Sequence, residues 1–247
     1  MISTSLKDMG EMVNNPIGFP HKLNFINYLK AWEGMSFPTA FLSSFVLTTG
    51  SLVGIIFLSS MAAYPLARIN LKLNKIVYLL FLCAIMLPIH TALIPLVKYF
   101  NFLHLTNSHL GLIIIYIATT CPLAIFIYTG FLKSIPKEIE ESAIIDGCNE
   151  FGVFWKIIMP LLTPATSTII IICAMGIWND FLLPLIFIQD AWKKPLSPSV
   201  FYFFETFNTN WNYAFAGFVM IMLPIIILFL ALQKQYVKGI AAGAIKG

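Results

Sequence analysis

The chain has 247 residues, 59% of them hydrophobic and only 11% charged, with a mean hydropathy of +0.85 and a net charge of +4. A soluble core of this length cannot hide so much apolar surface, and the long, unalternated apolar runs exclude a β-barrel, whose strands would be segments of about ten alternating residues. The composition therefore predicts an all-α membrane protein, in which a small basic excess records orientation rather than affinity for nucleic acid.

Residues 1–38 contain no apolar run of membrane length. Five segments then follow, each near or above the roughly 20 apolar residues that a spanning helix needs: 39–67, 76–98, 109–132, 161–188 and 213–236. The first is rich in small residues (Ser43, Ser44, Thr48, Thr49, Gly50, Ser51, Gly54), which permit close helix approach. The second carries Pro88 and Pro95, and the fourth Gly176 and Pro184, so both are expected to be kinked or unwound. The aromatic-rich stretch from Tyr202 to Tyr213 reads as an interfacial belt.

Five spans place the two ends on opposite sides. With the first interhelical loop inside, nine basic residues are cytoplasmic (Arg68, Lys72, Lys75, Lys133, Lys137, Lys156, Lys234, Lys238, Lys246) and six are outside (Lys7, Lys22, Lys30, Lys98, Lys193, Lys194). That orientation makes 1–38 an extracytoplasmic stretch that crosses without an apolar signal of its own, and we expect a first spanning helix to be missing upstream. Residues 39–247 form the transmembrane domain, with a loop at 134–160 and a cytoplasmic tail at 237–247.

The loop is the most charged part of the chain. Five of the eleven acidic residues fall there: Glu138, Glu140, Glu141, Asp146 and Glu150. Ser134 is expected to cap a short helix with Pro136 in its first turn, and Glu138, Glu140 and Glu141 face the positive end of its dipole. Ile135, Ile139 and Ala143 form an apolar stripe, and Gly147 ends the helix. A second helix from about Asn149 presents Phe151, Phe154, Trp155 and Ile158, with the three aromatics expected to be exposed. A solvated loop face is the competing reading of the charge run.

This loop resembles the coupling loop of ABC importer permeases, written Glu-Ala-Ala, three residues, Gly, nine residues, Ile, any residue, Leu-Pro. Here it reads Glu141, Ser142, Ala143, Gly147, Ile157, Met159 and Pro160, with Ser142 and Met159 as the two departures. The surroundings are similar to the shorter membrane subunit of maltose-type carbohydrate importers: Ala62-Ala63-Tyr64 with Arg68, Met86-Leu87-Pro88, Leu93-Ile94-Pro95, Trp178-Asn179-Asp180-Phe181, and the tail from Gly239 to Gly247.

The resemblance implies a type I ABC importer permease core, with about five spanning helices here against six in the family, and a cytoplasmic helix-turn-helix coupling loop. It implies a cell-membrane protein of a bacterium or archaeon that pairs with a second, similar permease, two ATPase subunits and an extracytoplasmic solute-binding protein. The loop (Glu141, Ser142, Ala143, Asp146, Gly147, Phe151, Phe154, Trp155, Ile157, Met159, Pro160) would seat on an ATPase, Glu141 would pair with a basic group, and Gly243, Lys246 and Gly247 of the tail would reach the ATPase pair. No Gly-x4-Gly-Lys-Ser/Thr loop occurs, so ATP and Mg belong to the partner ATPase subunits and this chain has no catalytic residues. Carbohydrate is the implied cargo, with glycerol phosphate as the alternative.

Trp178, Asn179, Asp180 and His90 are candidate translocation-pathway residues. Against that, Asp180 reads equally as a helix-end carboxylate and His90 as a hydrogen-bonded core histidine. His104 and His109 are five apart, and Cys83, Cys121, Cys148 and Cys173 are widely spaced, so neither a metal site nor a disulfide is expected. An intramembrane enzyme lacks its motifs here, and a secondary transporter would carry more intramembrane ionisable groups.

Overall fold

The computed structural model describes residues 1–204 and 210–244, the last eleven of these as backbone only. Every regular element among the described residues is helical. After two short N-terminal turns come α1 (Ile26–Gly34), α2 (Phe37–Arg68), α3 (Lys72–Ile85), α4 (Leu93–Phe102) and α5 (His109–Ser134). The loop helices α6 (Glu138–Ile145) and α7 (Glu150–Leu161) follow, then α8 (Thr163–Asn179), α9 (Leu182–Phe187) and α10 (Trp211–Ala244).

Three helices, α2, α5 and the Trp211–Gln233 part of α10, are long and apolar enough to cross a membrane. Counting two bent pairs as single spans gives five: α3 with Ile89–Phe102, bent by 88°, and α7 with α8, bent by 68°. The first bend sits at the predicted Pro88. The predicted fourth segment, 161–188, is interrupted as expected, but the chain stays helical through Gly176 and breaks at Asp180. Asp180 Oδ1 accepts the amides of Leu182 (3.0 Å) and Leu183 (3.5 Å), so the carboxylate starts α9. Pro184 then falls in the first turn of α9, where a missing N–H has no helical acceptor to lose.

Packing groups the chain into two units, each drawn from three stretches of the sequence. One comprises Met1–Thr49, Tyr99–Ile113 and Met175–Leu228. Its core surrounds Trp178, Leu196, Val200, Phe203, Ala216 and Ile221. The Trp178 indole N–H donates to Ile221 O at 3.0 Å, and its ring meets Phe41 edge-on at 5.7 Å. Polar groups at the chain's bends are matched by side chains. Asn27, fully buried, donates through Nδ2 to Ser5 O and Lys7 O (2.8 Å each) and accepts from Asn212 Nδ2 at 3.0 Å. Asn107, at a φ of 55°, accepts through Oδ1 from the amides of Gln189 and Asp190.

The other unit comprises Gly50–Lys98, Ile114–Ala174 and the chain from Phe229 onward. Here two of the predicted small residues of α2 pack closely, Ser51 being inaccessible and a Cβ on Gly54 colliding with Ile117 of α5, and Ser59 and Ser60, which were not among those predicted, are inaccessible as well. Tyr128 and Thr166 share a 2.8 Å hydrogen bond between α5 and α8. Asn74 Nδ2 closes the end of α2 by donating to Pro65 O and Ile69 O, both at 3.1 Å.

Asn27→Ala removes a donor to two carbonyls and the acceptor of Asn212, with an expected loss of about 1 to 3 kcal/mol. It should lower the thermal midpoint of the detergent-purified protein, and an unchanged midpoint would show that the Asn27 network is not needed. Gly147 sits at a φ of 89° with open space around it, so Gly147→Ala brings backbone strain alone, about 1 to 2 kcal/mol. Faster limited proteolysis between α6 and α7, partly relieved in Gly147→Asn, is the expected readout.

Candidate functional site: the 134–160 loop

The loop lies wholly within the second unit. Helix α6 begins without the expected Ser134 cap, since Ser134 Oγ donates back to Phe131 O at 2.7 Å and so finishes α5. What remains to favour this start is Pro136 just ahead of it and the three glutamates in the first turn. The helix ends as predicted. Cys148 N reaches back to Ala143 O (2.9 Å) and Gly147 N to Ile144 O (3.0 Å), the paired closure that a left-handed residue allows. Asn149 then caps α7, its Oδ1 accepting from Gly152 N at 2.7 Å.

Within α7, Val153–Ile158 forms a π-helical turn. This widened turn belongs to a helix with two distinct faces: Val153, Phe154 and Ile158 are buried, Trp155 is half-buried and Phe151 is 69% exposed. The expectation that all three aromatics are exposed is corrected. Phe154 packs edge-on against Tyr64 of α2 at 5.3 Å, and Trp155 stacks on Phe57 at 5.8 Å, so of the three only Phe151 is left outward. The Trp155 indole N–H is buried without a partner among the described residues.

The two adjacent glutamates are separated by the helix turn. Glu140 is buried: Oε2 accepts the Tyr64 hydroxyl at 2.8 Å, and Oε1 lies 2.6 Å from Arg68 Nε and 2.5 Å from Arg68 Nη2. Glu141, Ser142 and Asp146 are exposed, with Ser142 Oγ donating to Glu138 O at 2.7 Å, while Ala143 is buried. Ile157 and Met159 are half-buried and Pro160 is exposed. The outward surface thus combines Glu141, Asp146 and Glu150 with Ile144, Ile145 (85% exposed) and Phe151. Apolar anchors ringed by carboxylates suit a partner with a basic, apolar-lined recess.

Sequence reasoning named Glu140 only as one of three glutamates in the first turn, and found neither Phe57 nor the pairing of Tyr64 and Arg68 with the loop. Tyr64 and Arg68 stood out only as part of a motif, and a partnership across more than 70 residues leaves no trace in local spacing.

The candidate pathway residues fall apart into different roles. Trp178 is buried with its indole bonded internally. Asn179 is exposed and donates to Met175 O at 2.9 Å, and Asp180 is half-buried as the start of α9. His90 belongs to the other unit, on the turn Ile89–Ala92, and is exposed rather than a core histidine. Gly243 falls in the backbone-only end of α10, and Lys246 and Gly247 lie outside the described residues. Among the described residues no group of three or more His, Cys, Asp or Glu is placed to hold a metal.

Residues 35–241 match the family described as binding-protein-dependent transport system inner membrane component. The melibiose/raffinose/stachyose import permease MelC of Bacillus subtilis is 39% identical over 248 residues, covering 100% of this chain and 90% of the relative. The arabinooligosaccharide transport permease AraQ of the same organism is 33% identical, covering 98% and 87%. Among solved structures, a bacterial ABC transporter involved in alginate import superposes with a TM-score of 0.81 at 20% identity, over 95% of this chain and 88% of that one, which shows the shared fold. The predicted type I permease fold, multi-pass membrane location and family are all borne out. This chain belongs to the binding-protein-dependent transport system inner membrane components, a family of permease subunits of ABC importers.

Proposed function

We propose that this chain forms one half of the translocation pathway of an ATP-driven carbohydrate importer and is driven through its 134–160 loop by a separate ATPase. The observation that carries this reading is the two-sided loop: one face fixed to α2 by Glu140, Phe154 and Trp155, the other presenting Glu141, Asp146, Ile145 and Phe151. An ordinary solvated loop would have no reason to expose Ile145 and Phe151 beside the carboxylates.

The complex comprises this chain, a second similar permease, two ATPase subunits and an external solute-binding protein. ATP and Mg are held by the ATPases, which supply the chemical work. Glu141 makes the charged contact, Phe151 and Ile145 fill the recess, and the turn at Gly147 keeps the two loop helices at a fixed angle. The tail at 237–247 adds a second contact. The basic excess of the loops faces the cytoplasm, with residues 1–38 outside.

Relatives named for melibiose, raffinose and stachyose import and for arabinooligosaccharide transport favour an oligosaccharide over glycerol phosphate. A secondary transporter is disfavoured by the commitment of the Asp180 carboxylate to the start of α9.

Removing one partner of an interfacial charge pair weakens binding by at least about tenfold. A tagged chain expressed from its native operon should therefore retain an ATPase through purification, and Glu141→Lys should lose it while inserting in the membrane normally. Retention of the ATPase by Glu141→Lys would contradict the assigned contact, and its absence from the unmodified, inserted chain would contradict the importer reading.

A further inference from the structure

Glu140 and Glu141 are neighbours with opposite surroundings. Glu140 is 9% exposed, and in its ion pair with Arg68 the two side chains are 12% and 10% exposed. Both carboxylate oxygens are used, one by the two Arg68 nitrogens and the other by the Tyr64 hydroxyl. A charge pair this enclosed is strongly destabilised by removal of either member, so it holds its geometry firmly while intact.

The clamp is one of three anchors on a single face of α2. Phe57, Tyr64 and Arg68 are spaced by seven and four residues, which at 100° per residue places them within about 40° of one another around the helix, over a length of about 16 Å. Arg68 and Tyr64 hold Glu140 of α6, Tyr64 meets Phe154 of α7, and Phe57 stacks on Trp155 of α7. One contact would let the loop pivot. Three contacts spread along the helix, reaching both loop helices, do not. The end of α2 is itself fastened, since Asn74 donates to Pro65 O in its last turn and to Ile69 O just beyond it, and the Arg68 charge sits at the negative end of its dipole.

We infer that Glu140, Arg68 and Tyr64 are positioning residues that clamp the loop to the C-terminal half of α2, so that loop and helix travel as one piece. The inference rests on the proposed docking of the loop on an ATPase, whose movement would then be delivered to α2. Bending is left to the ends of the loop: the interruption between Ser134 and Glu138, and Leu162, where α7 and α8 meet at 68°.

The test holds the clamp shut. In a chain with Cys83, Cys121, Cys148 and Cys173 replaced by alanine, Arg68→Cys and Glu140→Cys are joined by a bis-methanethiosulfonate, which forms a reducible disulfide with each thiol and expels sulfinate, after the complex with its ATPase has been assembled in lipid. If loop and helix move together, the cross-linked complex hydrolyses ATP at a rate within about fivefold of the complex with the unmodified chain. A rate lower by about fivefold or more means that the pair must separate during the cycle, and overturns the clamp. Glu140→Gln, isosteric with the native side chain, supplies a second readout: the ATPase should remain bound through purification, unlike in Glu141→Lys. Loss of the ATPase from both variants alike would place Glu140 on the docking face and overturn the inference. Absence of an ATPase from the unmodified chain would instead sink the docking reading beneath it.

Discussion

In hydrocarbon no water is present to satisfy a freed backbone or side-chain polar group, and the architecture of this chain follows from that constraint. At three of the described breaks side chains supply replacements: Asp180 receives the amides that begin α9, Asn74 donates to Pro65 O and Ile69 O at the end of α2, and Asn107 gathers two amides of the 188–190 turn. The same rule governs charge. The most enclosed carboxylate of the loop, that of Glu140, is met on both oxygens, and the indole of Trp178 donates to a backbone carbonyl. Glu141 and Asp146, by contrast, stand on the exposed surface of the loop.

The spans were legible because bilayer thickness imposes a length that no soluble fold requires, and Pro88 announced the break in the second span. The break in the fourth span was misplaced for a physical reason. Gly176 and Pro184 are the residues that propensity marks as weak points, but both are compatible with the helices they occupy, whereas Asp180 offers an acceptor to the next turn and so decides where the chain bends. A capping residue in an apolar run carries more information than the proline four residues later.

At the loop, spacing revealed the helix, the turn at Gly147 and the second helix, since these depend on neighbours in sequence. Which carboxylate faces inward was not legible. Glu140 and Glu141 are chemically identical, and only the arrival of Tyr64 and Arg68 from α2 distinguishes them. The same holds for the aromatics: Phe151, Phe154 and Trp155 look alike as a cluster, and the π-helical turn together with Phe57 and Tyr64 determines which remains outside.

The loop thus joins an inner face packed on α2 to an outer face of carboxylates and apolar side chains, and the partner proposed for that outer face is an ATPase. The most direct test is a single cysteine at Phe151 in an otherwise cysteine-free chain, bearing a short photoreactive cross-linker, in the assembled complex. A covalent adduct between this chain and the ATPase is the predicted result. An ATPase that copurifies with the chain but forms no adduct from position 151 would show that it docks elsewhere, and would contradict the account.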